Sequence, residues 1–254
     1  MVIKKVIQNR ADHWQYSIPM LWNETYVKSL EQLLKDKRVR KVLDPACGVG
    51  FPALDLAERG FEVTASDGDP VMLENFKQET EMRKRDIIPQ QTDWRMLSSQ
   101  YKNEFDAVIV RGNSLVYVDS WAVEQRKPIN VEKTDKGIQE SLANFRAVLK
   151  PKGILYVDIF HRFETQGLET MGSKTIDGLD FSLDFDVAYE KKNGIRRIVS
   201  KLYYGRKQHS RVYTSFLLPH ERLVYLLKHV GFKEVEPYVP IDGENVYSVF
   251  IARK

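Results

Sequence analysis

Residues 39–58 constrain this chain more than any other stretch. Residues 39–43 read as a short apolar strand, and Asp44-Pro45-Ala46-Cys47-Gly48-Val49-Gly50 follows as a turn of small residues. Residues 53–58 then read as a helix. Ala46, Gly48 and Gly50 carry little or no side chain, so another molecule can come close to the backbone there. A strand, a glycine turn and a helix predict free backbone N–H groups in a crevice at the carboxyl end of a parallel sheet. Many doubly wound proteins that bind nucleotides share such a turn.

The next segment narrows the ligand. Residues 61–66 read as a second strand with Asp67 and Gly68 at its tip. An acid roughly twenty residues beyond the glycine turn is placed to accept both hydroxyls of a ribose. A second role, helix capping, is open at this point, because Asp69-Pro70 begins a helix. The turn lacks the Gly-Lys-Ser/Thr ending of a phosphate loop. It also carries Asp44, whose charge disfavours a pyrophosphate. A cationic or zwitterionic adenosine compound suits the turn better, and S-adenosylmethionine has the required amine, sulfonium and adenosine.

The rest of the chain continues the pattern. Residues 24–34 have helical apolar spacing. A helix from Asp69-Pro70 onward carries Met72, Leu73 and Phe76. Strands are expected at 87–91, 105–110 and 154–159, with a helix at 137–149 between the last two. Alternation of strand and helix predicts a doubly wound α/β fold with a Rossmann-like parallel sheet. Residues 175–216 break the rhythm. Strands at 181–188, 196–204 and 210–217, with the hairpin signal Asn193-Gly194, predict an antiparallel β insertion after the fifth strand. A helix at 219–230 and strands at 233–236 and 247–252 then complete seven strands. The expectation is one domain over 1–254, with 163–218 as an insertion covering the substrate.

Composition excludes several functions. The 254 residues are 43% hydrophobic, enough for one substantial core. Net charge is only +4, and the basic clusters Arg83-Lys84-Arg85, Arg196-Arg197 and Arg206-Lys207 are scattered. They read as solvated faces, and no nucleic-acid partner is expected. The single cysteine, Cys47, forms no internal disulfide and no cysteine zinc site, and no metal is expected. No run reaches transmembrane length and the N-terminus lacks a signal-peptide core, so a cytoplasmic protein without membrane association is expected. The oligomeric state is not legible.

At these residues the chain resembles the class I S-adenosylmethionine-dependent methyltransferases, and within them the glycine and glycine/sarcosine N-methyltransferases. The matching segments run in order: Trp14-Gln15, the glycine turn, residues 63–73, Asp93-Trp94, Gly112-Asn113-Ser114 and Leu149-Lys150-Pro151-Lys152-Gly153. They span about residues 12–160. The resemblance implies S-adenosylmethionine as cofactor and a seven-stranded methyltransferase sheet. It places Trp14 and Asp44 to Gly50 at the methionine end, Asp67 and Gly68 at the ribose, and Met72, Asp93 and Trp94 around the adenine. For Met72, core packing is the alternative. It makes Asn113 a substrate contact at the end of the fourth strand.

The chain departs from that subfamily at four places. Arg111 stands where an apolar residue is usual, and either pairs with a carboxylate or faces solvent. Tyr117 replaces a histidine. Trp22-Asn23-Glu24 lacks an arginine that holds the cofactor carboxylate, which leaves that task to another base, such as Arg10, or to solvent. Arg162 lies two positions beyond the arginine that binds the substrate carboxylate, beside His161, which is placed to take a proton or pair a charge. Tyr189, Tyr203, Tyr204 and Tyr213 in the insertion are placed to line a polar pocket, cradle a methylated cation or pack in a sheet. The implied reaction is methyl transfer to a small molecule, foremost an amine nitrogen of an amino acid or related metabolite. Alternatives are an O- or other N-methyltransferase of a natural-product pathway, an RNA or protein methyltransferase, or a fold that has lost its chemistry.

Overall fold

The computed structural model describes residues 7–121, 129–160, 166–240 and 247–254, the side chain of Lys191 excepted. A seven-stranded sheet runs in the order β10-β11-β5-β4-β1-β2-β3. Its strands are β1 (Lys41–Asp44), β2 (Glu62–Asp67), β3 (Gln90–Gln91), β4 (Phe105–Val110), β5 (Leu149–Phe160), β10 (Glu234–Tyr238) and β11 (Tyr247–Arg253). β1 to β5 are parallel, while β11 is antiparallel to both β5 and β10. The doubly wound fold expected from the alternation of strands and helices is therefore present. The order reverses between β1 and β4, and ligands of open α/β sheets bind at such a point.

Helices follow from apolar spacing and from capping residues. α2 (Glu24–Asp36) buries Val27, Leu30, Leu33 and Leu34. Asn23 caps it by accepting from the Thr25 and Tyr26 N–H groups at 2.9 and 3.2 Å. α3 (Ala53–Glu58) follows the glycine turn, and α4 (Pro70–Met82) has Asp69 as its cap and Pro70 in its first turn. α5 (Leu97–Gln100) is one turn. α6 (Val131–Val148) begins six residues before the expected position, because Asn130 caps it and accepts from the Lys133 N–H at 2.9 Å. α7 (His220–His229) buries Leu223, Leu226 and Leu227.

An element that apolar periodicity did not reveal is α1 (Arg10–Leu21). Its N-terminus is a capping box: Asn9 accepts from Ala11 and Asp12, and Asp12 accepts from the Asn9 N–H. The box is legible in sequence, but the helix lacks a clear apolar face.

Between β5 and α7 the chain builds a second sheet, antiparallel and four-stranded, in the order β6-β7-β8-β9. Its strands are β6 (Gly167–Ile176), β7 (Leu179–Glu190), β8 (Ile195–Tyr204) and β9 (Lys207–Phe216). Three were expected, and β6 was not. Much of β6 is exposed, so its sequence lacks the alternation that marks a half-buried strand. β7 and β8 alternate cleanly. Phe181, Leu183, Phe185, Val187 and Tyr189 face inward with Arg196, Ile198, Ser200, Leu202 and Tyr204. All of these except Arg196 and Ser200 share one apolar cluster with residues of α6, α7, β4 and β5.

α1 ties the antiparallel sheet to α4, whose Asn75 donates Nδ2–H to Asp12 Oδ1 at 3.1 Å and Gln15 Oε1 at 2.9 Å. Tyr16 stacks on Phe181 with ring centroids 4.7 Å apart. His13 is fully buried, its Nδ1 2.8 Å from Nδ1 of His209 and its Nε2 2.8 Å from Oγ of Ser200. Desolvation pushes the His13 pKa down to about 3, so this bridge is made by a neutral imidazole.

Candidate active site

A cleft of about 560 Å³ opens at the carboxyl ends of β1, β2 and β4. Trp14, Ala46, Gly48, Asp67, Gly68, Asp93, Trp94, Arg111 and Tyr117 line it. These come from six separate places in the sequence. The volume falls in the range of pockets that enclose a small molecule or cofactor.

The glycine turn shapes the floor. Gly48 has φ +52°, and a Cβ there would lie 3.5 Å from the Trp14 indole nitrogen. Its N–H does not remain free. It donates to Asp67 Oδ2 at 2.9 Å, while the N–H groups of Ala46, Cys47 and Gly50 go to Asp44, Ser66 and Cys47. The expected row of free amides is therefore absent at these positions. The turn's donors go to its own Cys47 carbonyl, to the Ser66 carbonyl and to two acids, and it offers close approach instead.

Three cofactor candidates from β1 to the end of α4 do not line the cleft. Gly50, at φ +113°, is glycine for packing, since a Cβ would come within 2.8 Å of Leu54 Cδ1. Met72 is fully buried in the apolar cluster of α2 and β1, which favours core packing over an adenine face. Asp44 lies behind the wall. Its Oδ1 accepts the Ala46 N–H at 3.1 Å, and its Oδ2 is buried with no partner. Desolvation pushes its pKa up to about 7, opposed by the charge of Arg111.

Asp67 is half-buried on the cleft floor. Its Oδ1 accepts the Asp69 N–H at 2.8 Å, so Asp69 rather than Asp67 is the cap of α4. Desolvation pushes its pKa up to about 6, against hydrogen bonds from the Asp69 and Gly48 amides. Asp93 lines the far end, held by both Nε and Nη2 of Arg95 at 2.9 and 2.6 Å. That pairing lowers its pKa. Trp94 donates Nε1–H to the Pro45 carbonyl at 2.6 Å and packs edge-on against Phe145.

Arg10 does not reach the cleft as a spare cation. Its Nε and Nη2 bind both carboxylate oxygens of Asp69, an acid that also caps α4. Arg111 takes a different place. Only 4% exposed, it lies between the Trp22 and Phe51 rings, with its guanidinium carbon 4.6 Å from each centroid. Nη2 donates to the Phe51 carbonyl, while Nε and Nη1 are buried without partners.

Beyond Trp14 and Gly112 a smaller chamber of about 40 Å³ continues from the cleft. Trp14, Gly112, Tyr117 and Trp121 border both spaces. Asn113, Phe160, Phe185, Arg196, Ile198, Tyr213 and Tyr247 complete its lining. Asn113 sits at φ +59° after the Gly112 turn. Asp158, buried on β5, accepts the Asn113 N–H at 2.7 Å and fixes that turn. The Asn113 Oδ1 accepts the Phe160 N–H at 3.0 Å, and its Nδ2 has no partner.

Reading the sequence missed Arg196, Trp121 and Asp158. Asp158 had a signal, a lone acid inside an apolar strand. Arg196 had only the alternation of β8. Of the four tyrosines expected from the insertion, Tyr213 alone lines the chamber, stacked 5.3 Å from Trp121. Tyr189 and Tyr204 are buried in the sheet and Tyr203 lies on its other face. His161 and Arg162 lie outside the described residues.

Comparison with known proteins agrees with this geometry. Residues 42–126 match the methyltransferase domain family. A glycine/sarcosine N-methyltransferase of Parasynechococcus marenigrum is 31% identical over 99% of this chain and 85% of its own length. The chain belongs to the class I S-adenosylmethionine-dependent methyltransferases. A glycine/sarcosine N-methyltransferase of Halorhodospira halochloris is 31% identical over 50% of this chain, which spans 42% of that relative. In fold, the enzyme is similar to an S-adenosylmethionine-bound amino pentose methyltransferase of Micromonospora echinaspora. The TM-score is 0.70 at 15% identity, with 98% of each chain covered.

S-adenosylmethionine is the cofactor of this methyltransferase, and it brings a methyl group already activated on sulfonium. The residues present fit it: a glycine floor, an acid on the second strand, and a buried arginine with unused N–H groups. Among the described residues no cluster could hold a metal ion, and no helix is long and apolar enough to cross a membrane.

Proposed function

We propose that this methyltransferase methylates the amine nitrogen of a small molecule, with a small amino acid as the leading acceptor class. The observation that carries this is the smaller chamber. Its volume leaves room for about three waters, which suits an acceptor of few atoms. The name of the relative that matches along nearly the whole chain points the same way.

In this reading Asp67 holds the ribose hydroxyls, and Ala46, Gly48 and Gly68 allow the cofactor close approach. Asp93 and Trp94 meet the adenine. Arg111 holds the methionine carboxylate, the task left open by the missing arginine near Trp22. Trp14, Gly112, Tyr117 and Trp121 form the aperture through which methyl transfer takes place. With S-adenosylmethionine bound, the acceptor would present its nitrogen as the neutral amine, and the cofactor would supply the methyl group and leave as the thioether. The resulting ammonium releases a proton to solvent. The protein's share is alignment and exclusion of water, and the aromatic walls supply both. Asn113, pinned by Asp158 and by the Phe160 amide, directs Nδ2–H toward the acceptor.

The direct test offers small amines, amino acids, aminosugars, transfer RNA and protein with isotope-labelled S-adenosylmethionine, read by mass spectrometry. Label is expected in small amino acids. Label only in RNA or protein, or only in aminosugars, refutes the proposal.

A pH dependence follows from Asp67. Its neighbours are Asp69, Asp44 and Cys47, with Arg10 the nearby cation. The ionised carboxylate is the better acceptor for ribose hydroxyls, so protons compete with cofactor. Affinity for S-adenosylhomocysteine is expected to be flat above pH 7. It should fall through pH 6 by up to about tenfold per unit. Calorimetry from pH 8 to 5 measures it. Asp44 and Asp158 titrate in the same region, so the comparison is with Asp67→Asn, which should flatten the slope. An equal slope in that variant excludes Asp67 as its source.

A further inference from the structure

We infer that Arg196 and Asn113 form an anion-binding end of the smaller chamber, which takes the carboxylate of the acceptor. Arg196 projects from β8 of the antiparallel sheet and is only 3% exposed. Its guanidinium carbon lies 4.8 Å from the Phe160 ring centroid. Its one polar contact is Nη2 to the Tyr117 hydroxyl at 3.4 Å, and Nε is buried with no partner. Among the described residues no carboxylate pairs with it.

A buried cation without a counter-charge costs several kcal/mol, and good hydrogen bonds to an anion offset that cost. Asn113 Nδ2 is a second unsatisfied donor on the same chamber. An unpaired guanidinium and an unpaired amide N–H, on walls that are otherwise largely aromatic, call for an acceptor-rich ligand. About 40 Å³ suits a carboxylate better than a bulkier phosphate. The aperture shared with the cofactor cleft fixes the other end of the acceptor. An amine one or two carbons from the carboxylate reaches that opening while the carboxylate stays on Arg196. The antiparallel sheet thus brings a buried cation of its own to the acceptor chamber.

This assignment rests on the small-amine reading of the same chamber, and its test separates the two. Binding of glycine, sarcosine and β-alanine, each beside its amide, is measured by calorimetry on the enzyme saturated with S-adenosylhomocysteine. At least one acid is expected to bind, and its amide about tenfold or more weaker. Arg196→Gln should weaken that acid by at least about thirtyfold, the lower end for truncating one partner of a buried charge pair. Arg196→Lys should recover part of the loss, since a point charge replaces a fork. In turnover the acid's KM should rise with kcat changed much less. Retained S-adenosylhomocysteine affinity in both variants reports an intact fold.

Equal binding of acid and amide by the unsubstituted enzyme, no binding of any acid, or unchanged acid affinity in Arg196→Gln each overturn the assignment. Acid binding that depends on Arg196 without any methyl transfer supports the anion site and refutes the amine-methylation reading. Transfer to amides as readily as to acids does the reverse.

Discussion

Replacing Arg111 with methionine is expected to weaken S-adenosylhomocysteine binding by about thirtyfold or more while leaving 5′-methylthioadenosine binding unchanged. The two ligands share the adenosine and differ in the amino-acid end. Arg111 is buried between Trp22 and Phe51 with two nitrogens unpartnered. Losing one partner of such a buried charge pair costs about 2–5 kcal/mol. Methionine keeps most of the length and the contact with both rings, so the aromatic stack retains its filling. Isothermal titration with both ligands measures the effect, and preserved methylthioadenosine binding shows that the cleft is intact. An equal loss for both ligands would point to general damage. No loss for either would remove Arg111 from the cofactor site.

Asp67→Ala is expected to weaken both ligands. Two ribose hydroxyls lose a charged acceptor, and a hydrogen bond to a charged group is worth about 1.5–3 kcal/mol. That is roughly ten- to 150-fold in Kd. The substitution also frees the Gly48 and Asp69 amides, which Asp67 holds at 2.9 and 2.8 Å, so Asp67→Asn is the companion. It can still accept from one amide, and it should show a smaller loss. Unchanged methylthioadenosine affinity in a folded Asp67→Ala protein would sink the ribose assignment. The two variants together divide the cofactor into its halves: Arg111 affects only the amino-acid end, whereas Asp67 affects everything that carries a ribose.

Several features were legible without coordinates because they are local. The turn from Asp44 to Gly50, the apolar strand Phe105–Val110 and the Asp69-Pro70 start of α4 are each specified by residues within a few positions of one another. The parallel order of strands followed from their alternation with helices. The third strand is weaker, only Gln90–Gln91, because an edge pair this short has no alternation to display. β6 escaped for a related reason, being largely exposed along its length.

Other features depend on contacts between distant parts of the chain. Arg10 and Arg111 are both arginines near the cofactor turn in the folded protein. Sequence named Arg10 for the cofactor carboxylate and gave Arg111 no such task. The difference lies in Asp69, which engages Arg10 from 59 positions away, and in the two rings that enclose Arg111. The same holds for Asp93, whose carboxylate is already gripped by Arg95.

By itself the sequence determined the sheet, the glycine turn, the acid on the second strand and the family to which this chain belongs. All of these are written in short motifs whose backbone demands are met locally. Only the tertiary structure decided which cations are spent and which are held in reserve. Arg196 and Arg197 are adjacent and chemically alike, and together they looked like one solvated cluster. The pleat of β8 sends one into the aromatic chamber and leaves the other exposed, because a strand's side chains alternate between faces and its partner strands fix which face is inside.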